Sequence, residues 1–449
     1  MKEFSGKRRS RGTLLLAFVS SLLAGCASQP LAAPEAKAPP APMNLILFGD
    51  HGYDLDYLEA KDKSPPLTLE QAIAAEREEW AEDKRPPNQF EASPMVRLPD
   101  TGGYVSASGL MPVVHAITEH CRIERCDAGV MLGDNIYPNG PTGGADGVSD
   151  AKRFDEILLQ PFKDFGSFAP DFRIYAALGN HDWRTSREAA LGEVAYMERT
   201  PPFYMDGLTY RVKPAGHSDV ELFVLDTEVL LAGQTVYEAE LADDGSELPP
   251  RILDERPAWT KPATERERNM VAWLEQSLRD SDARWKIVMA HHPLWASAGS
   301  KFQESRVLRR LLLPTLCRYA DMYVAGHEHT LELHSDSCAK ALPGEQVLPL
   351  PHVISGAAAK QRPLNTWFMA HQARDNPEMK TFFAKGMTWG YAHLTLDGDR
   401  ATGYSRWTVL SRNEKSEPYV RLSGRYEDVF VRENGSWKFQ SRIAKREIP

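Results

Sequence analysis

The sequence predicts an α/β fold on a buried sheet, and three observations carry that reading. Five short runs are almost continuously apolar: Leu45–Phe48, Ala128–Leu132, Ile174–Leu178, Trp285–Met289 and Met322–Ala325. Strands that are apolar on both faces belong in a sheet covered by further layers. Segments between them, Asn269–Arg279 and Glu304–Tyr319 among others, place apolar residues at helical spacing. Each of the five strands also runs directly into a cluster of polar, metal-capable residues. Loops at the ends of such strands collect ligands in one crevice.

The elements follow in order. Lys7, Arg8, Arg9 and Arg11 precede the apolar run Leu14–Leu23, which ends in Leu23-Ala24-Gly25-Cys26. This is the pattern of a secretory signal over residues 1–25, too short for an ordinary membrane span. The last four residues look like a bacterial lipobox, which makes Cys26 the candidate lipidation site. Plain cleavage beside an incidental cysteine is the alternative. Residues 26–43 are rich in Pro and Ala and read as an extended tether. The main domain is expected over 44–410. Its 54–105 insertion carries a helix-compatible stretch, Leu69–Glu82, and a second insertion spans 234–266. Such segments act as lids or as decoration. Gly109–Cys121 and Lys152–Phe165 read as crossover helices, and Pro202–Val212 and Val220–Thr227 as strands of a second sheet layer. Val353–Ser355 and Tyr391–Leu396 continue the strands. Residues 411–449 read as a C-terminal β-hairpin extension, with Glu433-Asn434-Gly435-Ser436 as the turn. Gly424–Asp428 and Gly435–Trp437 resemble the terminal hairpin of small cone-shaped α+β domains; strands packed on the main domain fit equally.

Composition narrows the partners. Lys and Arg number 53 against 62 Asp and Glu, a net charge of −9 that becomes −13 without the first 25 residues (48 against 61). An acidic surface argues against nucleic-acid binding through a general basic footprint. Cys121, Cys126, Cys317 and Cys338 remain after the signal, an even number that favours disulfides in an exported chain. Local pairing, Cys121–Cys126 and Cys317–Cys338, is preferred among three connectivities.

The strand-end motifs are Gly49-Asp50-His51-Gly52, Gly133-Asp134-Asn135-Ile136-Tyr137, Gly179-Asn180-His181-Asp182, Val288-Met289-Ala290-His291 and Gly326-His327-Glu328-His329. Hydrolysis of a phosphate ester needs an activated water, a neutralised phosphoryl group and a stabilised leaving oxygen. Two metals about 3.5–4 Å apart meet all three needs. Asp134 is the natural bridge and Asp50 a second carboxylate. Asn180, His291, His327 and His329 are neutral donors that hold a cation without cancelling its charge.

This set resembles that of calcineurin-like metallophosphoesterases, and within them the purple (tartrate-resistant) acid phosphatases. Tyr137 carries the narrower likeness. The resemblance spans about residues 43–400 and implies a four-layer α/β/β/α sandwich with two mixed sheets. It implies a first ion, Fe(III), on Asp50, Asp134, Tyr137 and His329. A second ion, Fe(II), Zn(II) or Mn(II), would sit on Asp134, Asn180, His291 and His327. The reaction implied is attack of a metal-bound hydroxide on small-molecule phosphate esters. Tyr137 as an ordinary core tyrosine is the alternative.

His181 is the candidate for orienting phosphate, together with Asn180, and for protonating the leaving group, with Asp182 orienting the ring. The small members of that family carry a further pocket histidine after the fourth motif; Ala296–Lys301 has none. His292 and Lys301 are the remaining candidate substrate contacts, although extended backbone would turn His292 away from the metals. His51 either stacks on substrate or faces solvent. The expected function is an envelope phosphomonoesterase, periplasmic or on the outer membrane, touching membrane only through its lipid anchor. The rivals are a phosphodiesterase or nucleotide pyrophosphatase on the same core, and a binding lipoprotein with a relic site.

Overall fold

The computed structural model describes residues 41–58, 66, 68–237, 241–249, 253–254, 256–299, 302–398, 400–412, 418–433 and 436–448. The signal, most of the tether, Cys26 and Lys301 lie outside them.

Two mixed sheets form the inner layers of an α/β/β/α sandwich. The first has eight strands in the order Ser436–Ile448, Pro418–Glu433, Arg400–Arg412, Ala392–Asp397, Met43–Phe48, Ala128–Leu132, Ile174–Ala177 and Phe203–Tyr204. The second has seven: Met379–Lys385, Leu331–Asp336, Leu350–Ser355, Met322–Ala325, Trp285–Ala290, Val220–Leu225 and Tyr210–Val212. Both feed one buried cluster that includes Leu47, Val130, Leu222, Met289 and Val324. The five apolar runs are the central strands, and their burial on both faces is what made them readable.

Parallel pairing sets the direction of the site. Met43–Phe48 pairs parallel with Ala128–Leu132, and that strand with Ile174–Ala177. Trp285–Ala290 lies parallel to both Val220–Leu225 and Met322–Ala325. Within each sheet the ligand loops therefore leave from the same edge. Ser355 ties the sheets there, its hydroxyl donating to the Leu47 carbonyl at 2.7 Å.

One expectation is corrected. Pro202–Val212 is not a single strand of the second layer. Phe203–Tyr204 pairs with Ile174–Ala177 in the first sheet, and Tyr210–Val212 pairs with Val220–Leu225 in the second. Gly207, at φ 85°, breaks the run, so the chain crosses between sheets.

Leu69–Glu82 is helical within the bounds read from sequence, opened by a capping box between Thr68 and Gln71. The 54–105 insertion closes with a short hairpin, Met95–Arg97 against Tyr104–Ser106. Cys121–Cys126 and Cys317–Cys338 are both disulfide-bonded, the local pairing preferred from sequence. At the C-terminus, Arg400–Arg412, Pro418–Glu433 and Ser436–Ile448 form an antiparallel meander that extends the first sheet. Among the described residues no helix is long and apolar enough to cross a membrane.

Candidate metal centre

Seven side chains from five loops converge in two groups that share Asp134. In the first, the Tyr137 hydroxyl lies 2.8 Å from Asp134 Oδ2, 3.1 Å from Asp50 Oδ1 and 3.2 Å from His329 Nε2. In the second, His291 Nε2 lies 3.3 Å from Asp134 Oδ1 and 3.2 Å from Asn180 Oδ1. His327 Nδ1 completes it, 3.1 Å from both Asn180 Oδ1 and His291 Nε2. Donors bound at about 2.1 Å around one ion stand roughly 3–3.4 Å from one another. Both groups have that spacing, and each brings together residues that the sequence motifs grouped.

The backbone is strained to achieve this. Asp50, Asp134 and His327 have φ of 56°, 52° and 69°, in the left-handed region that side chains seldom adopt. Hydrogen bonds between loops hold them: Asp50 N–H donates to the Gly133 carbonyl at 3.0 Å, and His327 N–H to Asp50 Oδ2 at 2.7 Å. Glycine is required by close approach. A β-carbon on Gly179 would stand 2.3 Å from Asp134 Oδ1, and one on Gly326 2.7 Å from Asp50 Oδ2.

The electrostatics call for a cation. Asp50 is pushed up to about 8, first by burial and then by Asp134, with His291 acting the other way. His291 is lowered by burial but carried up to about 10 by Asp134 and Asp50. Two buried carboxylates this close cannot both ionise without positive charge between them. Tyr137, buried beside both carboxylates, is held well above its usual range; a bound cation would reverse that. The residues present thus fit two metal ions. His291 Nδ1 is 2.8 Å from the Leu132 carbonyl, which leaves Nε2 to the metal. His327 Nε2 faces Glu304 at 3.5 Å, and Arg256 hydrogen-bonds both Glu304 and Glu228.

The other candidate residues separate. His181 is buried beside the site, with its backbone N–H donating to Asp134 Oδ1 at 2.8 Å. Arg184 Nη2 donates to its Nε2 at 2.9 Å, and Nδ1 lies 2.6 Å from the Pro138 carbonyl. Burial, with Arg184 also opposing protonation, lowers it to about 4. With Nε2 accepting from Arg184 and Nδ1 donating to Pro138, the ring can donate to a phosphate or a leaving group only if one of these partners moves. Asp182 does not orient His181. Fully buried, it accepts backbone N–H groups from Gly179, Asn135 and Ile136 at 2.7–3.0 Å and so clamps two ligand loops together. His292 is no substrate contact either: it is fully buried, with Nδ1 2.9 Å from the Thr227 hydroxyl. His51 neither stacks on substrate nor faces solvent, because it packs edge-on against Phe48 and Phe162.

A cavity of about 360 Å³ opens beside this centre, lined by His181 and His329 on one side and by Trp80, Arg85 and Phe90 of the 54–105 insertion on the other. The insertion is a wall of the pocket. Arg184, Lys360 and Arg362 also line it. Lys360 Nζ stands 4.8 Å from the Tyr137 ring centroid, and Arg362 Nη1 donates to Glu328 at 2.8 Å and to the His327 carbonyl at 3.2 Å. Lys360 and Arg362 were missed from sequence; the signal was the Gly356–Arg362 loop, which leaves a sixth central strand, Leu350–Ser355.

A dinuclear donor set at the strand ends of an α/β/β/α sandwich defines the class. A model of calcineurin-like phosphoesterases matches residues 43–331, well over half of the chain, and the chain belongs to that family. A SnoaL-like domain model matches residues 387–443, which include strands continuing the first sheet. Among curated relatives, purple acid phosphatase 4 of Arabidopsis thaliana is 28% identical over 268 residues, 59% of this chain and 66% of its own length. Purple acid phosphatase 17 of the same plant is 29% identical over 268 residues, covering 59% and 67%. The chain thus spans about two thirds of the relatives it matches. A dimetal phosphatase from Danio rerio is 14% identical, with a TM-score of 0.43 over 85% of this chain and 99% of that one. GAP50 of Plasmodium, described as an anchor in the inner membrane complex, is 13% identical with a TM-score of 0.45, covering 91% and 90%.

Proposed function

We propose that the chain is a dinuclear-metal phosphomonoesterase of the acid phosphatase type that hydrolyses small organic phosphate esters. The observation that carries this is the pair of donor groups sharing Asp134, one with two carboxylates and a phenol and the other dominated by neutral nitrogen and amide donors. Hard anionic donors suit a trivalent ion and imidazole a divalent one, which supports Fe(III) on Tyr137 and Fe(II), Zn(II) or Mn(II) at the second position. Bound there, the two ions would supply an acidified water and charge neutralisation. The chain's own groups do the rest. Asp182 fixes the relative position of two ligand loops, and Gly179 and Gly326 leave room around the carboxylates. Arg362 and Lys360 add positive charge on the phosphate side, and His181 offers a polar edge held in one orientation by Pro138.

Export to the bacterial envelope through Cys26 belongs to the same reading and rests on the N-terminal sequence pattern. The hydrolytic claim is tested with metal-loaded protein and a matched pair of aryl phosphates. The monoester is expected to be cleaved at least about tenfold faster than the bis-ester, and Asp134→Asn to abolish both activities. Faster bis-ester cleavage would favour the phosphodiesterase reading instead. No cleavage of either by a fully loaded protein would favour the relic-site lipoprotein.

A further inference from the structure

The insertion places one buried cation in the cavity wall. Arg85 is only 5% exposed, and its Nη1 pairs with Asp83. Its Nε is buried without a hydrogen-bond partner. Asp83 answers this charge on one edge, and Arg85 lines the cavity as well. The loop around it is built to hold this position. Arg85 N–H donates to the Trp80 carbonyl at 3.2 Å, and Trp80 Nε1 to the Pro86 carbonyl at 3.0 Å. Asn365, from the main domain, donates to the Asp83 and Lys84 carbonyls at 3.3 and 3.2 Å. Lys84 takes a φ of 53° to make the bend.

Four cations face this one cavity: Arg85, Arg184, Lys360 and Arg362. Asp83 is hydrogen-bonded to Arg85 and Glu328 to Arg362. Burial works against the Arg85 charge and Asp83 supports it; Arg362 opposes it and Glu328 favours it. A single phosphate at the metal centre would be neutralised by the two ions held there, with Lys360 and Arg362 beside them. A second anionic group is what the remaining cations would answer. Glu76, Glu79 and Glu91 also line the cavity from the insertion. Glu76 is engaged by the Ser93 N–H at 2.8 Å, while Glu79 and Glu91 are exposed, where they would repel a long polyanion.

We propose that Arg85 is a specificity-determining substrate contact that binds a second anionic group, carboxylate or phosphoryl, on a compact phosphate ester or anhydride. This rests on the phosphoesterase reading, and it names the substrate class. Guanidinium bonds to such oxygens are charge-assisted and strong.

Calorimetry on metal-loaded protein tests it without turnover, using inorganic phosphate, pyrophosphate and phosphoglycolate as probes. Wild-type protein is expected to bind at least one of the two-anion probes about 10- to 100-fold more tightly than phosphate. Pyrophosphate alone showing the gain would assign a second phosphoryl group; phosphoglycolate alone would assign a carboxylate. Arg85→Gln should erase the gain while phosphate affinity stays within about twofold, and Arg85→Lys should restore part of it. Equal affinity for all three probes in the wild type, or a gain that survives Arg85→Gln, would overturn the proposal. Phosphate failing to bind the loaded wild type would sink the phosphoesterase reading itself, and this one with it.

Discussion

The two walls of the cavity are made in different ways. On the core side, the groups that would break a bond stand on loops at the ends of buried parallel strands, and most of them are nearly inaccessible. On the insertion side, the groups that would choose a substrate stand on a helix and a polar loop of the 54–105 segment. A rigid sheet fixes distances between donors to a few tenths of an ångström, which metal binding demands. Contacts to a leaving group tolerate more variation, and an added segment can change them without disturbing the centre. The comparison teaches that reaction and selectivity are separable here, and each prediction tries to break that separation.

The largest effect is expected at the bridge. Asp134→Asn should lower hydrolysis by about a thousandfold or more and leave fewer than two metals per chain by elemental analysis. Next comes the clamp. Asp182→Ala removes the acceptor of three backbone donors without touching a donor atom. Metal affinity should fall by about 10- to 100-fold, measured by competition with a chelator. Unchanged affinity would mean that the loops position themselves.

The insertion side should behave in the opposite manner. Trp80 is buried, packs edge-on against Phe90 and holds Pro86. Trp80→Ala is expected to raise KM by roughly tenfold while both metals stay bound. Loss of metal in this variant would show that the walls are coupled.

The smallest effect lies away from the pocket, at the start of Ala128–Leu132. Asp127 is opposed by burial, yet His217 at 3.7 Å and hydrogen bonds from Arg125 and Asn44 lower it to about 2. Its folded value lies below the unfolded value of about 3.9. Its contribution is therefore complete above pH ~4 and is lost as pH falls through about 2. Asp127→Asn should cost about 1–2 kcal/mol at neutral pH, with the difference closing in acid and metal content unaltered. Denaturation at several pH values checks the sign.

The same division explains what could be read from the sequence. Val130, Met131 and Leu132 followed by Gly133-Asp134 is a local pattern, and a buried strand leaves no other reading for it. Five such strand-then-ligand patterns group the candidate donors that the fold brings together. Leu331–Asp336 escaped because its inner positions are a buried pair, Glu332 and His334 2.6 Å apart, which looks like surface in one dimension. Asp182 was assigned to His181 by adjacency, whereas backbone donors from a distant loop claim it. Arg85 sits in Glu-Asp-Lys-Arg, a string that resembles any solvated turn. Only the packing of Trp80 and Asn365 around it shows that it points inward. Pairings over long sequence separation are what a linear reading lacks.

The central claim is a two-metal centre with Tyr137 on one ion. It is tested most directly by metal analysis and a visible absorption spectrum of the purified protein lacking its first 25 residues. Two metals per chain, iron among them, with a broad visible band that disappears in Tyr137→Phe, is the predicted result. A colourless protein with two divalent ions would remove Fe(III)–phenolate ligation but keep the dinuclear site. A metal-free protein that cannot be reconstituted would contradict the account.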